Sequence, residues 1–139
     1  MHTSVLVADN GDIYDLLDRF AAYDGEPSSD DARWDNFGVG GIFAGALPLA
    51  RRSAWRRWLP FVPRWITGVS VARKSDVDTE ALLSNPPMAL FFQGVLHECP
   101  LSEEPEDDAH ILAAWEATFR RLYDEIPEDA TLQVVDAHS

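Results

Sequence analysis

The segment that decides the fold runs from Met88 to Glu98 and has the sequence Met-Ala-Leu-Phe-Phe-Gln-Gly-Val-Leu-His-Glu. Two apolar runs, Met88 to Phe92 and Val95 to Glu98, flank the dipeptide Gln93-Gly94. A two-residue connection of this kind is typical of a tight turn in which glycine supplies the positive φ angle. The segment therefore predicts a β-hairpin.

The residues after the hairpin predict a helix and a strand. Beyond an acidic stretch, apolar residues recur at helical spacing to about Tyr123, and Pro127 ends the helix. The predicted buried stripe consists of Ile111, Leu112, Trp115, Phe119 and Leu122. A final strand is predicted for Thr131 to Asp136.

The residues before the hairpin add two helices and further strands. Ser4 to Ala8 predicts a strand with Val5 and Val7 on one face. Asp12 and Asp78 each precede a predicted helix and are placed to cap it. The helix after Asp12 has an apolar stripe, and the short helix after Asp78 ends at Leu83. The order of elements predicts a single α+β domain over residues 1–139, with a mainly antiparallel sheet and the two principal helices on one face.

The charges of the chain are segregated along the sequence. Residues 36–75 contain seven basic residues and no acidic residue, whereas the rest of the chain carries 4 basic against 24 acidic residues. The middle is thus +7 and the remainder −20, which gives the net charge of −13. Opposite surfaces on one molecule favour docking on a partner.

Arginine and tryptophan residues alternate at about residues 48–64, which we call the Arg/Trp segment. We expect this segment to extend away from the rest of the domain. Pro60 and Pro63 interrupt any regular structure there. Charge beside aromatic surface suits a protein partner, single-stranded nucleic acid, a membrane surface, or neutralisation of acidic loops in the same molecule. The residues predicted to bind a partner are Arg51, Arg52, Trp55, Arg56, Arg57 and Trp58.

Several motifs together carry a family resemblance. They are Trp34-Asp35-Asn36-Phe37, Val39-Gly40-Gly41-Ile42-Phe43-Ala44-Gly45, Phe92-Gln93-Gly94-Val95, the helix Trp115 to Tyr123, and Val134-Val135-Asp136-Ala137-His138. In this arrangement the chain resembles an uncharacterised family of small proteins of phages, prophages and high-GC bacteria. In that family an arginine follows the glycine pair, where this chain has Ile42. The resemblance implies a mobile-element context and no particular reaction.

Two groups of residues could carry chemistry. The first predicts a ligand pocket or an acid–base cluster and comprises Trp34, Asp35, Gly40, Gly41, Asp136 and His138. The second is His97-Glu98-Cys99, in which His97 and Cys99 share a strand face. This motif lacks the three or four spaced ligands of a zinc site. It also lacks the partnered histidine that activates a thiol nucleophile. We therefore predict no metal, no cofactor and no catalytic residue.

The remaining features bound the class of protein. Cys99 is the only cysteine, which excludes an internal disulfide and suits a reducing compartment. The N-terminal residues lack a signal-peptide pattern. The sequence therefore predicts a cytoplasmic protein without a membrane span. A self-complementary charge pattern permits a dimer.

The sequence favours one function and leaves two alternatives open. The favoured one is a non-enzymatic accessory protein of phage or prophage type that binds a host protein through complementary charged surfaces and could thereby inhibit it. The first alternative is a small ligand-binding protein or enzyme that uses the predicted pocket. The second is an acidic mimic of DNA, because a carboxylate array can imitate a phosphate array.

Overall fold

The computed structural model describes residues 1–23, 26–27, 29–50, 68–100 and 108–139. Within these ranges the chain forms strands, three α-helices and short 3-10 turns. In chain order the elements are β1 (His2–Ala8), α1 (Ile13–Leu17), β2 (Ala22–Tyr23), β3 (Glu26–Pro27), β4 (Asn36–Val39), β5 (Leu47–Pro48), β6 (Gly68–Val69), β7 (Val71–Arg73), α2 (Thr79–Ser84), β8 (Ala89–Phe92), β9 (Val95–Glu98), α3 (Asp108–Glu125) and β10 (Thr131–His138).

The main sheet has the strand order β4-β10-β1-β8-β9, with β7 also paired to β10. Thr131–Gln133 of β10 pairs with β7, and Val135–His138 pairs with β4. All of these pairings are antiparallel except that of β1 with β8. The protein is therefore an α+β domain with a mixed, mainly antiparallel sheet, as predicted.

Helices cover both faces of this sheet. Leu6 and Ala8 of β1 belong to a core cluster with Trp115 and Phe119 of α3, and α2 contributes to the same cluster. Val5 and Val7 point the other way, into a second cluster that includes α1 and the 3-10 turn after it. The prediction that the two principal helices share one face is therefore wrong. The physical reason is that Val5 to Ala8 are all apolar, so β1 needs a covering layer on each side.

The local turn and cap predictions are confirmed. In the hairpin of β8 and β9, Gln93 has φ 52° and Gly94 has φ 76°. Both central residues are left-handed, as a type I′ turn requires, so the glycine is not alone in this conformation. The carboxylate of Asp12 accepts a hydrogen bond from the Tyr14 N–H at 2.8 Å, and that of Asp78 accepts one from the Ala81 N–H at 3.2 Å.

The buried stripe of α3 begins later than predicted. Trp115, Phe119 and Leu122 are buried, but Leu112 is 39% exposed. Ile111 is half-buried and lines a cleft between β9 and the start of α3. Residues 51–64 of the Arg/Trp segment lie outside the described part of the chain.

Candidate functional site

The carboxylate of Asp136 has hydrogen-bond partners on two other elements of the fold. β10 places Asp136 opposite Ser4 of β1 and opposite Gly38 of β4. One carboxylate oxygen accepts a hydrogen bond from the Ile42 N–H at 3.0 Å, and the other lies 2.8 Å from Nδ1 of His2. The carboxylate therefore joins β10 to β1 and to the 3-10 turn Gly41–Phe43.

These contacts determine the charge state of Asp136. Burial alone would raise the pKa of its carboxyl group, since only 11% of the side chain is exposed. The hydrogen bonds from Ile42 and His2, together with the nearby charges of His2 and His138, outweigh burial and lower the pKa below its usual value. Asp136 is therefore an ionised acceptor at neutral pH.

The glycine pair permits this arrangement. Gly41 has φ 51°, and a Cβ atom on it would lie 2.3 Å from a carboxylate oxygen of Asp136. Gly40 has φ 78°, donates its N–H to the Val134 carbonyl at 2.8 Å, and packs against Ser70. A side chain at Gly41 would push the turn away from Asp136, so glycine is required for the close approach.

Two histidines border Asp136 on the same side of the sheet. His2 and His138 are paired opposite each other on β1 and β10, and their ring centroids are 4.7 Å apart in an edge-on arrangement. Both residues are exposed, with 44% of the His2 side chain accessible. The cluster thus combines two accessible imidazoles with one ionised carboxylate.

The structure brings together part of the predicted pocket. Gly40, Gly41, Asp136 and His138 lie around the cluster described above. Trp34 is instead buried in the core on the opposite face, where its ring lies 5.7 Å from that of Phe20. The backbone of Asp35 donates to the His138 carbonyl at 2.7 Å, while its side chain is exposed.

Sequence reasoning did not find His2 or the Ile42 N–H. Both reach Asp136 only through long-range pairing: His2 through the register of β1 with β10, and Ile42 through the turn after β4. The sequence signals near this place are the glycine pair before Ile42, since glycine permits close backbone approach, and Asp136 with His138, which share a strand face.

Two of the residues of His97-Glu98-Cys99 line a common cleft. His97 and Glu98 border this cleft of about 510 Å³, which lies between β9 and the start of α3, together with His110, Ile111 and Trp115. Glu98 forms an ion pair with Arg33. The pKa of the Cys99 thiol is raised, mainly by burial and to a smaller extent by the negative charge of Asp108. This opposes formation of the thiolate. Among the described residues, no group of three or more His, Cys, Asp or Glu is arranged to hold a metal ion.

The described residues on either side of residues 51–67, which include most of the Arg/Trp segment, lie next to each other in the fold. Leu47 pairs with Val69 and Pro48 with Gly68, so β5 and β6 are antiparallel neighbours. The Ala50 N–H donates to the Asp76 carbonyl at 2.8 Å, and the Pro48 carbonyl accepts from the Asp78 N–H at 2.7 Å. The predicted partner-binding residues themselves, Arg51, Arg52, Trp55, Arg56, Arg57 and Trp58, lie outside the described ranges.

A second close backbone approach fixes the return of the chain at β6. A Cβ atom on Gly68 would lie 1.7 Å from the Gly45 carbonyl oxygen, so β6 packs directly on the backbone of the turn before β5. The Ser70 hydroxyl accepts a hydrogen bond from the Gly45 N–H at 3.3 Å. The same turn thus contacts Asp136 on one side and the base of the Arg/Trp segment on the other.

In the described part of the chain, no helix has both the length and the apolar character needed to cross a membrane. Comparisons of the sequence with protein-family models and with curated proteins, and of the fold with solved structures, give no match. The resemblance to a phage and prophage family accordingly stays a prediction.

Proposed function

We propose that this chain is a non-enzymatic accessory protein, of phage or prophage type, that binds a host protein through complementary charged surfaces. In this proposal the Arg/Trp segment makes the central contact and inhibition of the host protein is the consequence. The folded framework holds the segment and supplies an acidic surround.

The observation that carries the proposal is the closed base of the segment. Residues 51–67 leave from β5 and return to β6, and these two strands pair with each other. The base is tied to the start of α2 by the hydrogen bonds of Ala50 and Pro48. The flanking strands thus bring together the two ends of a stretch of 17 residues, 51–67, which contains five arginines and three tryptophans. Arginine and tryptophan are the residues that most often dominate protein interfaces.

The charge of the framework complements that of the segment. The described residues include 19 acidic and 6 basic residues. Four of the six bases lie within 4 Å of a carboxylate: Arg33, Lys74, Arg120 and Arg121. The framework therefore presents excess negative charge, while residues 51–67 are purely cationic. A partner with an acidic patch beside basic surroundings would match both parts.

The ligand-binding alternative has weaker support from the geometry. Both carboxylate oxygens of Asp136 already have hydrogen-bond partners within the protein. Gly41 lies against that carboxylate, and Trp34 contributes its ring to the core. These groups hold the sheet and the turn together, which is a sufficient reason for their presence.

The test is a capture experiment with two matched charge-reversal variants. The tagged protein is incubated with lysate of the host cell, once with and once without nuclease treatment, and bound proteins are identified by mass spectrometry. The first variant changes Arg51, Arg52, Arg56 and Arg57 to Glu. The control variant changes four arginines of the framework, Arg19, Arg73, Arg120 and Arg121, to Glu, which alters the net charge by the same amount.

We expect one protein to be captured in stoichiometric amount by the unaltered chain and by the control variant, and to be lost with the segment variant. Circular dichroism spectra of both variants are compared with that of the unaltered chain to check that the variants are folded. Equal capture by both variants would refute the role of the segment. Capture that disappears only after nuclease treatment would assign the segment to nucleic acid instead.

A further inference from the structure

The two histidines beside Asp136 have an arrangement that the proposed function does not use. His2 and His138 are directly opposed across β1 and β10, with their ring centroids 4.7 Å apart. Both are exposed to solvent. Opposed residues on antiparallel strands have Cβ atoms roughly 5 Å apart, so two imidazoles at such a pair can turn toward a common point.

Asp136 selects the tautomer of His2. Its ionised carboxylate can only accept hydrogen bonds, and one oxygen lies 2.8 Å from Nδ1 of His2. Nδ1 must therefore carry the proton, which leaves a lone pair on Nε2 of the neutral ring. A carboxylate that holds one ring nitrogen so that the other is free to coordinate is the usual support for a metal-binding histidine.

We propose that His2 and His138 together bind one divalent transition-metal ion. Nε2 of His2 and one ring nitrogen of His138 are the protein ligands, and water completes the coordination. Asp136 orients His2 and does not coordinate the ion, because Ile42 and His2 occupy its oxygens. The site thus has two protein ligands, which is consistent with the absence of a three-ligand group among the described residues.

The donor set determines the class of ion. Imidazole nitrogen suits Cu²⁺, Ni²⁺ and Zn²⁺, whereas Ca²⁺ and Mg²⁺ require several oxygen ligands, and the two carboxylate oxygens of Asp136 already have hydrogen-bond partners. With the same two nitrogens, Cu²⁺ binds more tightly than Ni²⁺ or Zn²⁺. Because the ligands lie on β1 and β10, the ion would also link the two central strands, and binding to the folded state alone raises the melting temperature.

The experiment titrates CuCl2, NiCl2 and ZnCl2 separately into the full chain and measures affinity by calorimetry and the melting temperature by scanning fluorimetry. The protein carries a Gly-Ser extension before Met1, so that no free amino group lies next to His2. The variants are His2→Gln, His138→Gln and Asp136→Asn. The matched controls are His97→Gln and His110→Gln, which change the two histidines of the cleft beside α3.

We expect one ion per chain, with the tightest binding for Cu²⁺. His2→Gln and His138→Gln should each weaken binding by more than 10-fold and remove the rise in melting temperature. Asp136→Asn should weaken binding about 10- to 100-fold, and the two controls should leave it unchanged. Unchanged affinity in either ligand variant, or an equal loss in the controls, would overturn the proposal. His2 and His138 are exposed, so we expect His2→Gln and His138→Gln to remain folded, and their affinities can be compared directly with that of the unaltered chain.

Discussion

Gly41 is the residue at which backbone conformation and side-chain packing are most tightly coupled. Its φ of 51° disfavours any side chain, and a Cβ atom would meet Asp136 at 2.3 Å. We expect Gly41→Ala to lower the free energy of unfolding by about 1–3 kcal/mol through backbone strain alone. The contact with Asp136 adds to this loss. Urea denaturation measures the loss.

Two other glycines separate the effect of conformation from the effect of contact. Gly94 has φ 76° with open space around it, and Gly38 has open space without a positive φ. We expect the loss of stability on change to alanine to decrease from Gly41 to Gly94 to Gly38. Equal losses at Gly41 and Gly94 would show that the Asp136 carboxylate moves aside without cost.

Asp136 makes stability depend on pH in a defined direction. Its pKa is lower in the folded protein than in the unfolded chain, so its contribution to stability is complete above the unfolded value of about 3.9. The contribution is lost as the pH falls through the folded pKa. We expect the stability difference between the natural chain and Asp136→Asn to be largest at pH 7 and to shrink steadily below pH ~4. A difference that stays constant down to pH 2.5 would contradict this assignment.

At the scale of elements, Lys74 joins the turn after β7 to the end of α3. It is only 5% exposed, and its ammonium group donates to the Ile126 carbonyl at 2.7 Å and lies 4.7 Å from the Tyr123 ring centroid. The ammonium is also 3.3 Å from the Glu128 carboxylate, whose side chain is 74% exposed. Burial of the stem and the carbonyl contact therefore matter more than the ion pair.

Two substitutions test whether the carbonyl contact of Lys74 contributes more to stability than its ion pair with Glu128. Lys74→Met keeps an apolar stem but leaves the Ile126 carbonyl without its donor, so we expect a loss of about 1–3 kcal/mol in unfolding free energy. Glu128→Gln removes only a solvent-screened charge and should cost less than about 1 kcal/mol. Thermal and urea denaturation compare the two. An equal cost for both would make the ion pair the main interaction.

The elements also show what the sequence could and could not predict. The hairpin at Gln93-Gly94 and the caps at Asp12 and Asp78 follow from residues close in the chain, and all three predictions are confirmed. The parallel pairing of β1 with β8 joins strands more than 80 residues apart, and no local pattern specifies it. The contact of His2 with Asp136 is missed for the same reason, because it exists only once β1 and β10 are in register.

At the scale of the whole molecule, the described residues carry 19 acidic against 6 basic groups. Repulsion among these groups opposes the compact state, and salt screens it: the Debye length falls from about 30 Å at 0.01 M to about 8 Å at 0.15 M. We therefore expect the melting temperature to rise between 0.01 M and 0.15 M NaCl. The same series near the isoelectric point of 4.4 is the control, where the rise should vanish. A fall at neutral pH would mean that ion pairs such as Arg120–Glu80 outweigh the repulsion.

The sheet order β4-β10-β1-β8-β9 also constrains how the chain can reach its native state. β1 takes β10 as one of its two neighbours, and their pairing closes a loop of more than 120 residues. Closing so long a loop is entropically costly, and folds dominated by such distant contacts form slowly. During synthesis β1 leaves the ribosome more than 120 residues before β10, and it lacks one of its two neighbouring strands until β10 emerges. For that interval four consecutive apolar residues that are buried in the folded protein lack their covering layers, and exposed apolar strands of this kind favour aggregation of incompletely folded chains.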